Sequence, residues 1–71
     1  MRWFKVEGLI LAAMSDDGSE AYGWFRDTKS WEPIQPREIL HCMYSLEIST
    51  EEANASALAK GADLKKLPIK F

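Results

Sequence analysis

The chain reads as an α+β domain, and three observations lead there. One helix has both of its ends written out, from Ser49 to Gly61. Apolar residues alternate at period two in residues 2–13 and again in 39–48, the spacing of strands. The length of 71 residues allows a single domain, 1–71, that buries only about 60% of the surface its unfolded form exposes.

From Arg2 to Ala13 the alternation predicts one strand, with Phe4, Val6, Ile10 and Ala12 on one face and Gly8 marking a bulge or a close backbone approach. Residues 15–20 then admit two readings. Asp17-Gly18 suits a hairpin turn, which makes Ala21–Asp27 a second strand. Asp27–Ser30 would then turn the chain into Trp31–Ile34. Alternatively Asp17 caps a helix with Glu20 three residues on, and Ala21, Trp24 and Phe25 form its apolar stripe.

Pro33 and Pro36 confine 32–37 to an edge or a connection. Residues 39–48 are read as a strand, because Leu40, Cys42, Tyr44, Leu46 and Ile48 share one face. The helical alternative places Pro36 at the first position and lines up Ile39, Leu40, Met43 and Leu46. The helix that follows has Ser49 as N-cap, Glu52 at the third position and Ile48 placed to pack on Ala53. Alanines 53, 55, 57 and 59 give it high propensity, and Gly61 supplies its left-handed stop. Leu64–Phe71 alternates but contains Pro68, so it is an edge strand at best.

Leu11-Ala12-Ala13-Met14-Ser15 leading to Glu20-Ala21 is echoed by Leu46-Glu47-Ile48-Ser49 leading to Glu52-Ala53. Two such β-α halves followed by strands give the order βαββαβ, which resembles the ferredoxin-like arrangement: a small antiparallel sheet with both helices on one face. The competing architecture is a three-stranded β-meander followed by one or two helices.

Composition excludes several function classes. At 46% hydrophobic and 28% charged the chain is a folding one, and its longest apolar run, Leu9–Met14, is far short of a membrane span. Glu7 interrupts the place where a signal peptide would carry its apolar core, and a single cysteine, Cys42, suits a reducing compartment, so the expected location is cytoplasmic. Residues 1–59 hold ten acids against five bases, and Lys60, Lys65, Lys66 and Lys70 follow with Asp63. An acidic body with a short basic tail argues against a general nucleic-acid binder.

No catalytic, cofactor or metal apparatus is visible. On a strand, His41 and Cys42 point to opposite sides and cannot form a nucleophile–base dyad. Asp16, Asp17 and Glu20 lack the spacing of a calcium loop and are explained by turn formation. The four glycines are too dispersed for a phosphate loop. Ala57 and Gly61 have helix-turn-helix spacing, but Ser56, Lys60 and Pro68 contradict that motif. Tyr22-Gly23-Trp24-Phe25 resembles an RNA-recognition core without its leading base.

What remains is interaction. Three tryptophans in so small a domain strain its capacity to bury them. Tyr22, Trp24, Phe25 and Trp31, ringed by Asp16, Asp17, Asp27 and Glu32, are the expected partner-binding patch. The expected function is non-enzymatic: binding another protein by steric occlusion, as an inhibitor, adaptor or regulator of the compact kind that phages and mobile elements encode against host machinery. A homodimer is a variant of this reading. The alternative function is nucleic-acid binding through sheet aromatics and the C-terminal lysines.

Overall fold

The computed structural model describes residues 1–8 and 10–68. Among these the elements run β1 (Arg2–Val6), β2 (Ile10–Met14), β3 (Ala21–Phe25), β4 (Ser30–Ile34), α1 (Pro36–Leu40), β5 (Ser45–Ile48) and α2 (Thr50–Lys60), with a 3-10 turn at Leu64–Lys66. The strands form one antiparallel sheet in the order β4-β3-β2-β1-β5. The first four are a meander, and β5 returns to the open side of β1.

The α+β class holds, but the βαββαβ order does not. The meander alternative comes nearer, with a fourth strand added and a fifth inserted between the helices. Residues 17–26 are hairpin because the Asp17 carboxylate accepts from the N–H of Ser19 at 3.0 Å, a turn-forming bond to the second residue on. Gly18 sits at φ 74, outside helical backbone. Ser15 and Glu20 close the loop through Ser15 N–H to Glu20 O at 2.9 Å.

The single strand expected over Arg2–Ala13 is likewise a hairpin. Glu7 and Gly8 adopt φ of 54 and 70, left-handed values that reverse the chain, and Val6 pairs with Ile10. Residues 39–48 divide between the two readings. Pro36 opens a five-residue helix whose N-cap Gln35 donates its N–H to Glu38 Oε2 at 3.0 Å, and the strand occupies only Ser45–Ile48. His41 caps α1 and Cys42 is half-buried in the turn after it, so neither lies on a strand.

Both sheet faces are covered, where one was expected to carry both helices. On the first face Trp3, Leu11, Ala13, Trp24, Trp31 and Ile48 pack with Ala53 and Ala57 of α2 and with Leu67. Ala53 and Ala57 are one turn apart, and their small side chains bring α2 close to the sheet. On the second face Phe4, Ala12, Met14 and Ala21 pack with Ile39 of α1. The ends of α2 are as expected: Ser49 Oγ accepts from Glu52 N–H at 3.1 Å, and Gly61 stops the helix at φ 73.

β4 is an edge strand, as Pro33 within it implies. The edge strand expected over 64–71 is a 3-10 turn at its start; residues 69–71 lie outside the described residues. Among the described residues no helix is long and apolar enough to cross a membrane.

Candidate functional site

The aromatic and acidic residues singled out by sequence do not form one exposed patch. Trp24 and Trp31 are a cross-strand pair on β3 and β4, 6% and 9% exposed, with ring centroids 5.5 Å apart in an edge-to-face arrangement. The Trp31 indole N–H donates to Asp63 O at 2.9 Å, which ties β4 to the chain beyond α2. Tyr22 shares their face and is half-buried. Phe25 is on the opposite face, beside a small apolar groove lined by Val6, Ile10, Ile34 and Ile39.

The acids are dispersed. Asp16 and Asp17 lie in the β2–β3 turn, and Asp27 in the β3–β4 turn at the other end of β3. Asp16 pairs with the ammonium of Met1. Glu32 is on β4 and accepts from Ser30 Oγ at 2.9 Å. Asp17 is structural: Ser15 Oγ donates to it at 2.7 Å, and Ser19 gives both its N–H and its Oγ–H. These bonds, Ser15 first, stabilise the carboxylate and lower its pKa from 3.8 to about 2. The burial of Trp24 and Trp31 argues against base stacking on their rings. Among the described residues no group of three His, Cys, Asp or Glu could hold a metal ion.

A different surface emerges within the stretch 39–48, read from sequence as a strand with one apolar face. Leu40, Met43, Tyr44 and Leu46 are exposed, Met43 by 90%, Tyr44 by 70% and Leu46 by 65%. They follow one another along the approach to β5 and onto it. Among the described residues β5 has β1 as its only sheet neighbour. Glu7 N–H donates to Tyr44 O at 2.9 Å, so residues 44, 46 and 48 turn their backbone groups towards β1. Glu47 therefore directs its N–H and C=O, and Ser45 its C=O, to the free edge; Ser45 N–H turns back onto Cys42 O at 3.3 Å.

The one charged side chain of β5 is already paired. Arg2 Nε and a terminal guanidinium nitrogen donate to the two carboxylate oxygens of Glu47 at 3.1 and 3.0 Å, and the guanidinium lies 5.1 Å from the centre of the Phe4 ring. The hydrogen bonds from Arg2 hold the Glu47 carboxyl below its ordinary range and raise the Arg2 pKa in turn. The other edge of the sheet is protected, since Pro33 lacks an N–H to offer a partner.

The signal for this edge was present in the sequence. Gln35-Pro36 with Glu38 is a helix start, and a helix there leaves too few residues for a strand running from 39. No protein-family model, no curated protein and no solved structure matches this chain.

Proposed function

We propose that this domain works without catalysis, by binding another protein along the free edge of β5, as an inhibitor, adaptor or regulator. The observation that carries the reading is the asymmetry of the two sheet edges. β4 is blunted by Pro33, whereas β5 has neither proline nor lysine and its only charge is neutralised by Arg2. Sheet edges left in this state are templates for another strand.

A partner segment in extended form would add to β5 through the outward backbone groups of Ser45 and Glu47. Met43, Tyr44 and Leu46 would give the apolar contact that main-chain hydrogen bonds alone do not provide. Occlusion of that partner's own pairing surface is the mechanism. The reading moves from the Trp24–Trp31 group to β5 because those two rings belong to the core.

A photo-crosslinking residue at Met43 or Tyr44, in the cells that make the protein, tests this. Adducts with one other protein are expected from both positions and not from Pro33 on the opposite edge. Leu46→Lys should abolish them, because it charges the edge at a position that is already exposed. Absence of adducts at 43 and 44, or equal adducts from 33, overturns the proposal. An adduct of twice the chain mass replaces the separate partner with a second copy.

A further inference from the structure

The first face of the sheet is covered by α2, but the second is covered only in part, because α1 has five residues. What α1 leaves open is the small apolar groove of about 250 Å³ lined by Val6, Ile10, Phe25, Ile34, Glu38 and Ile39. Three of these residues close over the missing side chain of Gly23. A Cβ there would stand 3.2 Å from Ile10, 3.3 Å from the Phe25 ring and 3.5 Å from Ile34. The groove lies beside that closure.

The strand register gives the groove a direction. Ser45 pairs with Val6, and Val6 with Ile10. The pairing of Leu11 with Trp24 sets Phe25 next in line. Ser45, Val6, Ile10 and Phe25 are therefore one row across four strands on one face of the sheet. The row ends at the free edge of β5, and it ends on a small residue. Ser45 Oγ is buried with no hydrogen-bond partner among the described residues. The fold makes no use of that oxygen, and an apolar group laid over it costs no further desolvation. The chain from the groove's wall to β5 is apolar and exposed as well: Ile39 of α1 is followed by Leu40 and Met43 before Ser45 is reached.

We propose that the extended segment which adds to β5 carries a large apolar side chain beside Ser45, laid over it against Val6 at the end of the groove. The inference rests on the β5 reading and names what that partner must present. Neighbouring strands lie about 4.8 Å apart, so a partner residue beside Ser45 is the next member of the row, about two such spacings from Val6. Only a long side chain spans that gap, and only a small residue at 45 leaves it open. A volume of about 250 Å³ is below that of a site for a whole small molecule and suits a side chain. An acidic side chain is disfavoured, because Glu38 is the one charge of the lining.

A displayed library of random peptides of about ten residues, selected on the intact chain, tests this. Selected peptides should share a large apolar residue at one fixed position. In methyl and aromatic NMR spectra they should shift Val6, Ile10 and Phe25 together with the Ser45 amide. Replacing the shared residue by Ala in the peptide should weaken binding roughly tenfold or more, the worth of burying one large apolar side chain. Ser45→Leu, which fills the gap from the chain itself, should weaken the parent peptide and leave the Ala peptide nearly unchanged. Peptides that are lost with Leu46→Lys but share no apolar position, shift neither Val6 nor Phe25, or bind equally well with Ala overturn this inference and leave the β5 reading standing. Peptides that survive Leu46→Lys, or a selection that yields no binder, overturn both.

Discussion

Replacing Trp31 by Phe isolates what the indole N–H does for the fold. The bond to Asp63 O spans 32 positions in the chain and joins the edge strand β4 to the segment that leaves α2. Its net worth is about 1 kcal/mol, the usual value for a hydrogen bond exchanged with water. The larger penalty of an orphaned carbonyl does not arise, because Asp63 O also accepts from Lys66 N–H at 3.1 Å. A phenyl ring keeps part of the edge contact with Trp24, so about 0.5 kcal/mol of aromatic interaction is lost. The smaller ring adds a void worth roughly 1 kcal/mol. The sum is about 2–3 kcal/mol, out of roughly 4–10 kcal/mol for a domain of this size.

Urea unfolding followed by far-ultraviolet circular dichroism measures this directly. With a slope of about 1 kcal/mol/M the midpoint should fall by roughly 2 M. Hydrogen exchange adds a local signature. The amides of Lys66 and Leu67, which donate to Asp63 O and Leu64 O, should exchange faster by more than the global loss accounts for. A midpoint unchanged within about 0.5 M, or about 0.5 kcal/mol at this slope, refutes the view that this bond anchors the segment. Trp31→Ala is uninformative about binding: at about 3–5 kcal/mol it approaches the whole stability.

Three further outcomes follow from the caps and charges. Ser49→Ala removes the acceptor for Glu52 N–H and should cost about 1 kcal/mol, lowering Tm by roughly 4–8 °C in a calorimetric scan. The Asp17 carboxyl binds its proton less readily folded than unfolded, so its contribution is full above pH 3.8 and is lost as pH falls through about 2. Asp17→Asn should flatten that part of the acid limb of Tm against pH, and parallel limbs for the two proteins would contradict the assignment. Arg2→Ala leaves the Glu47 charge uncompensated on the free edge. The Glu47 titration observed by NMR should move up towards its ordinary value, and crosslinking from Met43 should drop.

The legible elements are those whose signals are local. Ser49 and Gly61 write the start and stop of α2 within the helix itself, and Pro33 marks an edge because a missing N–H has the same consequence in any fold. The first hairpin was hidden by parity. Val6 pairs with Ile10 and Phe4 with Ala12, so the same four side chains share a face whether the chain runs straight or folds back. Periodicity is blind to that difference; only Gly8 hinted at it, and Glu7 in a left-handed conformation gave no sign at all. The alternation from Leu40 to Ile48 failed for a related reason. Period two reports a strand only if those residues are extended, and the helix start at Pro36 takes the first of them away.

The misplacement of the tryptophans has a geometric cause with a functional consequence. A sheet covered on one face has room for few large rings, and on that premise several had to be exposed. Here α2 covers one face and α1 the other, so Trp3, Trp24 and Trp31 fill the first layer while Phe4 and Met14 fill the second. Alanines on α2 make this possible, because a helix approaching through Ala53 and Ala57 leaves the ring volume to the sheet. Once the rings are used for stability, the first face has little left to present, and the second keeps the small apolar groove beside Phe25. What the layers leave uncovered is the backbone edge at β5, with Met43, Tyr44 and Leu46 exposed beside it. Leu46→Lys, which charges that edge and leaves the buried rings untouched, therefore separates a role of the edge from the stability of the core.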